Sequence, residues 1–362
     1  MRYSPFRHIG SVFSKDRPIH LTFFITRRCN SSCPFCFYLR SEERANNPGD
    51  ELSLEEISKI SRSFGDLLWL AFSGGEIYLR EDLPEISRVF YRNNHPAIML
   101  FPTNGLLPGR ITDMTEEILK CCPKSTIAVK LSLDGVYDEH DRIRNTPGSF
   151  ARTMETYEKL RVLVHTYPHF EIGVNTVFCA ENQDRMDGII DFVGTLQDVK
   201  THTISLIRGN LSERSLLKID QQKYRRAVAR LEANLKRKET AKTYRFKGAR
   251  LKAAQDVVQR KLIGQTLMEE KRLIPCYAGH LNLVLGESGE VYPCEILSRG
   301  LGNLRDYGYD IRKLLVSDRA KAVLNGISDS HCYCTHECYL MTNILFNPRL
   351  YPALARQYLQ MR

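Results

Sequence analysis

Six short runs of β-forming residues, each followed by a stretch with helical spacing, constrain the fold of this chain more than any other feature. The runs span residues 20–26, 67–73, 97–103, 126–133, 170–178 and 202–207. Candidate helices between them include 53–64, which opens on the capping pattern Ser53-Leu54-Glu55-Glu56, and 115–120. Strands that alternate with helices join in parallel through crossover connections. The sequence therefore predicts an α/β fold, namely a partial (β/α)6 TIM-like barrel.

The pattern changes after residue 220. Apolar residues there follow two helical stripes, which predict a helical hairpin; they are Tyr224, Ala227, Val228, Leu231 and Leu235, then Leu251, Ala254, Val258 and Leu262. Short strands follow residue 274, with Glu287-Ser288-Gly289 as a hairpin turn. The predicted organisation is an N-terminal extension (1–17), the barrel (18–212), a basic helical hairpin (213–273), a small C-terminal domain (274–345) and a C-terminal helix (346–362).

The net charge of +10 comes from one segment of the chain. Residues 221–272 hold 16 Lys and Arg against 5 Asp and Glu, whereas the remainder holds 36 against 37. A solvated helical pair with lysines on its outer face explains this charge. Amphipathic helices of this kind could also rest on an anionic membrane surface or hold a phosphorylated substrate. Nucleic acid is not expected as a partner, because the segment has few aromatic residues to stack on bases.

The sequence contains neither an apolar run of membrane-spanning length nor a signal peptide at its start. We therefore expect a cytoplasmic protein, with peripheral attachment to the membrane as the variant that the basic hairpin suggests. Eleven cysteines in a reducing compartment favour metal ligands or reactive thiols over disulfides. Eight of them fall into two groups, and Cys121, Cys122 and Cys179 are interpreted as small buried hydrophobes.

The first group, Cys29, Cys33 and Cys36, lies just past the first predicted strand. A structural zinc site requires four ligands, and neither a nearby histidine nor a fourth cysteine completes the set. An iron–sulfur cube held by three cysteines keeps one iron open for an exchangeable ligand. We favour such a catalytic cluster over an incomplete zinc site or a chance spacing.

The C-x3-C-x2-C spacing, with an aromatic residue before the last cysteine, resembles the signature of the radical S-adenosylmethionine (SAM) superfamily. The resemblance covers residues 20 to about 210 and includes short motifs after the next three strands. These motifs are Ser73-Gly74-Gly75-Glu76, Thr103-Asn104-Gly105 and Ser132-Leu133-Asp134-Gly135. Each alone is a common turn, but barrels place their active sites at successive strand ends.

The resemblance implies a first 4Fe–4S cluster on Cys29, Cys33 and Cys36, and it assigns roles at the strand ends. Gly74, Gly75 and Glu76 would bind the SAM amino group, where Glu76 could accept from an ammonium. The remaining SAM-site residues implied are Asn104, Ser132 near the carboxylate or ribose, Asp134 near the ribose or substrate, Arg144 on the carboxylate and Asn175 on the ribose.

The second group of cysteines comprises Cys276, Cys294, Cys332, Cys334 and Cys338. Cys276, Gly289 and Cys294 resemble the opening half of a SPASM domain, but such domains have seven cysteines. A region with five cysteines resembles the shortened twitch domain, and this resemblance implies one auxiliary 4Fe–4S cluster with four cysteine ligands. We favour Cys276, Cys294 and Cys338, with Cys334 before Cys332 as the fourth. A zinc site on the same residues, or His331 or His336 as a ligand, is the alternative.

The resemblance implies an enzyme that cleaves SAM reductively to a 5′-deoxyadenosyl radical, abstracts a substrate hydrogen and takes electrons from a flavodoxin or ferredoxin. An auxiliary cluster as electron acceptor implies an oxidoreductase that carries out a two-electron oxidation. The twitch resemblance implies a small-molecule or sugar substrate, and the basic hairpin suggests that this substrate is anionic or lipid-linked. Asp134, Glu295 and Tyr292 are candidate catalytic bases by position.

A maturase that modifies a ribosomally made peptide is the main alternative. Only 28 residues precede Cys29, fewer than a leader-binding domain needs, which lowers this alternative without excluding a separate recognition protein. A non-catalytic iron–sulfur protein that kept the fold is the remaining alternative, and the motifs at the strand ends argue against it.

Overall fold

The computed structural model describes residues 2–39, 50–209, 211, 213–236, 244–329 and 332–361. The strands of these ranges are β1 (His20–Phe24), β2 (Trp69–Ser73), β3 (Ile98–Thr103), β4 (Thr126–Ser132), β5 (Phe170–Phe178), β6 (Val199–Leu206), β7 (Asn282–Leu285), β8 (Glu290–Tyr292) and β9 (Gly302–Asn303). The α-helices are α1 (Leu54–Ser63), α2 (Leu83–Asn94), α3 (Pro108–Cys121), α4 (Asp138–Ile143), α5 (Ser149–Thr166), α6 (Met186–Thr195), α7 (Gln221–Lys236), α8 (Ala249–Glu269), α9 (Ile311–Leu315), α10 (Asp318–Asp329), α11 (Glu337–Leu345) and α12 (Tyr351–Gln360). Short 3-10 helices cover Pro5–Val12, Ile77–Leu79, Arg214–Leu217, Leu304–Tyr307 and Pro348–Leu350.

The strands form one sheet in the order β6-β5-β4-β3-β2-β1-β7-β8-β9. Strands β1 to β6 pair in parallel, each with the next, and α1 to α6 lie on the connections between them. This confirms the predicted α/β fold and the partial TIM-like barrel. The barrel is not closed. The edge of β1 that a closed barrel would pair with β6 pairs with β7 instead, and β6 pairs only with β5 among the described strands.

The C-terminal strands extend the barrel sheet instead of forming a separate one. β7 pairs in parallel with β1, with His20 opposite Asn282 and Phe23 opposite Leu285. β8 and β9 then add in antiparallel fashion. An open barrel leaves the backbone groups along one side of β1 unpaired, and β7 satisfies them. The predicted boundary at residue 274 therefore divides a continuous sheet.

Local signals fixed several element ends. Ser53 caps α1, its Oγ accepting from the Glu56 backbone amide, while the Glu56 carboxylate accepts from the Ser53 amide at 2.8 Å. The capping box was therefore predicted correctly. The prediction of 115–120 for the third helix was too short. α3 begins at Pro108, a residue that suits the first helical position because it lacks an amide hydrogen.

Side chains alternate between the two faces of the parallel strands. Phe23, Phe72 and Phe101 point outward into the main hydrophobic core. Ala71, Lys130 and their neighbours in alternate positions point into the barrel, where they line a cavity. The interior of this barrel is therefore a binding space and not a packed layer of branched apolar side chains.

The predicted helical hairpin differs from the expectation of an outward-facing basic surface. α8 is buried on several sides, and its residues Lys252 and Arg260 line the cavity. On α7, Arg226 and Arg230 form ion pairs with Asp187 of α6, the latter at 2.9 Å. The excess positive charge is thus partly directed inward and partly neutralised by α6. None of the described helices is long and apolar enough to cross a membrane.

Candidate functional site

A cavity of about 590 Å³ occupies the inside of the partial barrel. Its walls are formed by inward-facing residues of β1 to β6 and by residues of α6, α7, α8 and the start of α11, together with residues of connecting segments such as Phe37, Arg208 and Glu295. Ser132 and Asn175 lie at its upper end, where β4 and β5 finish. Glu171 lies lower on β5, near the beginning of that strand. The cavity therefore extends from the strand ends that carry the sequence motifs toward the opposite end of the barrel.

The first cysteine group lies on the loop after β1. Cys33 is buried, and Cys29 and Cys36 are partly buried. The Cys36 amide donates to the Cys33 carbonyl at 3.3 Å, which turns the loop. Phe35 packs with Cys33 in a small hydrophobic cluster, and burial raises the pKa of the Cys29 thiol to about 11. Thiolates in such surroundings require a compensating positive charge such as a metal cluster.

The paired glycines after β2 hold this loop against the barrel. Gly74 has φ of +137°, in the range that favours glycine, and a Cβ there would overlap the Thr26 carbonyl oxygen. A Cβ on Gly75 would overlap the Arg28 carbonyl oxygen. The Gly75 amide donates to Thr26 at 2.8 Å. The glycines thus allow two backbone segments to approach closely at the base of the cysteine loop.

Glu76 is fully buried and linked to the loop after β3. Its Oε1 accepts from Thr103 Oγ1 at 2.9 Å, and its Oε2 accepts from the Asn104 amide at 2.7 Å. The Tyr78 amide also donates to Oε1, at 3.2 Å. Three of the roughly four acceptor positions of this carboxylate are therefore occupied by the protein itself. The hydrogen bond from the Asn104 amide links Glu76 to the cysteine loop, because the Asn104 side chain donates to Asn30 there at 2.8 Å.

Asp134 and Arg144 form a buried ion pair, with Arg144 Nη1 donating to Asp134 Oδ2 at 2.7 Å. Asp134 Oδ1 also accepts from the Val177 amide at 2.7 Å. The guanidinium lies 5.9 Å from the centre of the Phe35 ring, and its buried Nε has no hydrogen-bond partner in the described part of the chain. Burial acts to lower the pKa of Arg144, but the charges of Cys33 and Asp134 raise it overall. Arg144 is therefore held beside the cysteine loop with one donor left over.

Ser132 and Asn175 are neighbours across β4 and β5, since their Cα atoms are paired in the sheet. Both line the cavity, and Asn175 Oδ1 accepts from Ser205 Oγ on β6 at 3.0 Å. Of the predicted SAM contacts, these two side chains are the ones that the structure places on the cavity wall. The others surround the cysteine loop.

The second cysteine group is assembled from three separate segments. Cys276, Cys294 and Cys338 pack around the same cluster of buried side chains, which includes Phe24 and Tyr339. Cys332 and Cys334 border a small pocket that Cys276 also lines. After burial, the charges of Cys276 and Cys294 help to raise the pKa of Cys334, to about 12. All five predicted thiols are therefore gathered in one region, whereas His331 lies outside the described residues.

In the described ranges, no three His, Cys, Asp or Glu side chains form a group that could hold a single metal ion. Of the other three cysteines, Cys122 and Cys179 are fully buried as predicted, whereas the prediction of burial was wrong for Cys121, which ends α3 near the surface. Cys121 is partly buried, with its Sγ 3.5 Å from that of Cys122.

The family model of the radical SAM superfamily matches residues 23–193, the range that contains the cysteine loop, the paired glycines and the Asp134–Arg144 pair. Residues 23–193 are a radical SAM domain. A radical SAM domain binds a 4Fe–4S cluster and SAM, and the predicted cofactors of this part of the chain are therefore confirmed.

The AdoMet-dependent heme synthase of Methanosarcina barkeri is 26% identical over 304 residues, which span 80% of this chain and 80% of that protein. The subtilosin biosynthesis protein AlbA of Bacillus subtilis is 34% identical over 146 residues, or 40% of this chain and 30% of AlbA. The chain thus matches under a third of AlbA. The structure of native anSMEcpe with bound AdoMet shares the fold, with a TM-score of 0.60 and 16% identity over 94% of this chain and 99% of that one.

Sequence reasoning named Glu295 and His336 separately but missed Arg208, which joins them in a buried charged cluster between the radical SAM domain and the C-terminal cysteines. Glu295 Oε2 accepts from His336 Nε2 at 2.7 Å and lies 3.4 Å from Arg208 Nη2. Arg208 also lies 3.5 Å from Glu337 and 5.1 Å from the centre of the Phe37 ring, which follows Cys36. Arg208 comes just after the end of β6, as the other motifs come just after the ends of their strands. This position is the sequence signal from which Arg208 could have been predicted as a site residue.

The three candidate bases are not brought together. Glu295 lines the cavity, but its Oε2 is already engaged by His336 and Arg208. Asp134 is tied to Arg144 and is not among the lining residues, and Tyr292 packs beside Cys276 and Cys294. The geometry gives Asp134 a positioning role toward Arg144 and leaves only Glu295 on the cavity wall.

Proposed function

We propose that this protein is a radical SAM oxidoreductase that acts on an anionic small molecule inside the barrel cavity. One arrangement carries this proposal: Phe37, directly after the three-cysteine loop, and Cys338 of the five-cysteine region both line the same cavity. When bound, the first cluster would supply the electron that splits SAM into methionine and a 5′-deoxyadenosyl radical, this radical would remove a substrate hydrogen, and the auxiliary cluster would accept the electron that the substrate radical gives up together with a proton.

The residues around the cysteine loop fit the first cluster and SAM. Cys29, Cys33 and Cys36 supply three thiolates, and the unpartnered Nε of Arg144 beside them suits the SAM carboxylate. Asp134 holds the Arg144 guanidinium in place. The cavity-wall side chains of Ser132 and Asn175 suit the ribose. We assign Glu76 and the paired glycines mainly to positioning the cysteine loop and Asn104. Most acceptor positions of the Glu76 carboxylate are already used by the protein, which leaves little of it for the SAM amino group.

The C-terminal region fits the auxiliary 4Fe–4S cluster. Cys276, Cys294 and Cys338 pack against the same apolar side chains. After burial, the charges of Cys276 and Cys294 help to raise the pKa of Cys334, which places Cys334 near both. We propose these four as ligands and rank Cys334 before Cys332; Cys332 also acts on the group, because after burial its charge helps to raise the pKa of Cys276 and Cys294. Apolar neighbours such as Phe24 and Tyr339 exclude water from the site.

Two observations favour a small molecule. The cavity is bounded by α7 and α8 as well as by the strands, and the heme synthase, whose name denotes a small-molecule product, matches over most of both chains. At the lower end of the cavity Lys130, Lys252 and Arg260 outnumber Glu171 and Asp256, which favours an anionic group there. A membrane-bound substrate is less favoured, because Lys252 and Arg260 face inward and Arg230 pairs with α6.

Modification of a ribosomally made peptide is the second candidate, and the match to AlbA, a bacteriocin biosynthesis protein, favours it. The two candidates differ in what stimulates SAM turnover. A small-molecule enzyme responds to a metabolite extract that has been freed of peptides, whereas a maturase responds to a precursor peptide. Liposome flotation with anionic lipid separates a membrane-associated variant from both.

The decisive experiment is anaerobic reconstitution of the full chain followed by measurement of 5′-deoxyadenosine under dithionite, or with a flavodoxin or ferredoxin as the proposed donor. We expect SAM cleavage above the level of the unreconstituted protein. Iron and sulfide analysis should give about eight irons per chain, four for each cluster. Failure to cleave SAM under strong reductant contradicts the proposed function, and about four irons with one zinc contradicts the auxiliary cluster.

A further inference from the structure

The lower end of the cavity contains a set of charged side chains that the SAM chemistry does not use. We call Lys130, Glu171, Lys252, Asp256 and Arg260 the cavity floor, and all five line the cavity. Lys130 and Glu171 project from β4 and β5, and the other three lie on successive turns of α8. The floor is thus formed where the basic helix meets the barrel wall.

The barrel is adapted to the Lys130 side chain. Gly173 is the residue opposite Lys130 in the sheet, and it also lines the cavity. A Cβ at Gly173 would overlap the Lys130 ammonium and the Thr201 hydroxyl, to which Lys130 donates a hydrogen bond. An inward lysine in a barrel that normally contains apolar branched residues therefore depends on a glycine beside it.

The charges of the floor do not balance. Lys252 pairs with Asp256, which also accepts from Tyr244 at 2.9 Å. Glu171 accepts from the Arg245 backbone amide at 2.5 Å. Arg260 Nη1 is buried and has no hydrogen-bond partner in the described part of the chain. Three cations against two carboxylates leave one positive charge in excess and one guanidinium donor unused.

An unused donor in a buried site is costly, because its hydrogen bonds to water are lost and nothing replaces them. Burial, followed by the charge of Lys252, lowers the pKa of Lys130 to about 8. If α8 were merely anchored to the barrel by this network, each donor could pair within it. A surplus cation facing a cavity instead indicates a site for an anionic group.

We propose that the cavity floor binds a carboxylate of the substrate, with Arg260 as the principal donor. This inference rests on the proposed function and specifies its substrate class. A carboxylate carries one negative charge, which matches the surplus. A phosphate carries close to two, and the neighbouring Glu171 and Asp256 carboxylates would repel it more strongly. A planar guanidinium also suits carboxylate geometry.

The position of the floor limits where the substrate reacts. Lys130 lies two residues below Ser132 on β4, about 7 Å along the strand, and Glu171 lies four residues below Asn175, about 13 Å. Ser132 and Asn175 mark the SAM end of the cavity under the proposed function. The reacting carbon is therefore several bonds from the carboxylate that the floor holds.

The test uses the full-length reconstituted protein, saturated with SAM and without reductant, so that the proposed SAM carboxylate site at Arg144 is filled and no turnover occurs. Butyrate is the probe, with butyramide and inorganic phosphate as comparisons, and binding is followed by calorimetry. We expect saturable butyrate binding that exceeds binding of both comparisons. Arg260→Met should weaken it by about tenfold to a hundredfold, the effect of losing a hydrogen bond to a charged group.

Arg250→Met is the matched control, because Arg250 lies on the same helix with its guanidinium 4.2 Å from the centre of the Tyr358 ring and outside the cavity lining. Its butyrate affinity should equal that of the wild type. If Arg260→Met does not fold, Lys130→Met is measured in its place, with the same expectation.

Three results overturn the proposal: no butyrate binding by the wild type, phosphate binding as tight as butyrate, or unchanged butyrate affinity when Arg260 is replaced. Butyrate binding is measured without SAM cleavage, so its failure leaves the proposed function standing. Conversely, a protein that binds butyrate but never cleaves SAM contradicts the proposed function alone.

Discussion

The N-terminal and C-terminal parts of the site are built in different ways. In the N-terminal part, each functional loop directly follows its own strand, as Cys29 follows β1 and Glu76 follows β2. In the C-terminal part, Cys276, Cys294 and Cys338 come from segments separated by many residues and meet only in the folded protein. The difference teaches that spacing alone identifies a ligand set that shares one loop, whereas a set that the tertiary fold assembles was found through resemblance and its fourth ligand was left open.

The largest effect that we expect concerns the N-terminal part. Cys33→Ala removes one of three thiolates from an open cluster and should reduce 5′-deoxyadenosine formation to background, with loss of about four irons per chain. Cys121→Ala, at the end of α3 and away from both cysteine groups, is the control and should cleave SAM like the wild type. Normal cleavage by Cys33→Ala would mean that the loop does not hold the catalytic cluster.

The second prediction concerns the C-terminal part. Cys294→Ala should lose about four irons but retain SAM cleavage, while substrate oxidation stops. Cys332→Ala and Cys334→Ala form a matched pair that tests which thiol is the fourth ligand. We expect the Cys334 variant to lose iron and the Cys332 variant to keep it. Iron loss from both variants, or from Cys332→Ala alone, would contradict our assignment of Cys334 as the fourth ligand.

Sequence alone predicted the barrel well, because its strands are short apolar runs and its turns carry strong local signals. The Ser53 capping box and the cysteine loop are examples of information contained within a few residues. The sequence could not show that β7 would pair with β1, since sheet pairing between distant segments depends on which strand edge remains open.

The cavity floor shows the same limit for the site. The basic character of α8 was visible in sequence, but its direction was not. Hydrophobic spacing suggested one apolar stripe and an outer basic face, whereas α8 packs on several sides and turns Lys252 and Arg260 toward the cavity. A charged residue that faces a polar cavity and one that faces water follow the same helical pattern, so periodicity does not distinguish them.

The third prediction compares buried and exposed ion pairs within the N-terminal part. Asp134→Ala leaves the Arg144 guanidinium buried without its partner and should lower the free energy of unfolding by about 3–5 kcal/mol. Arg142, two residues before Arg144, forms an exposed ion pair with Glu181. Glu181→Ala breaks that pair and should lower the free energy of unfolding by about 0–1 kcal/mol. Anaerobic urea unfolding measures both. Equal losses would contradict the positioning role of Asp134, and SAM affinity should fall only in the Asp134 variant.

The smallest effect concerns Lys130, which lies on β4 of the N-terminal part and faces the charged residues of α8. Its pKa falls from the ordinary 10.5 to about 8 through burial, followed by Lys252; Arg260 acts in the same direction, and Asp256 and Glu171 oppose it. Between these pH values the unfolded chain keeps a proton that the folded chain has released, so the free energy of unfolding should rise with pH, by about 1–3 kcal/mol. Below this window both states are protonated, and the buried charge destabilises the fold.

Lys130→Met should abolish this rise, whereas Lys261→Met, an exposed lysine of the same helix α8, should keep it. Urea unfolding from neutral pH upward gives the comparison, and the same slope in Lys130→Met and the wild type would contradict the buried, perturbed ammonium. Butyrate provides a further check, because a carboxylate bound at the floor favours the charged lysine. Saturating butyrate should therefore move the rise to higher pH in the wild type and leave Lys130→Met unchanged.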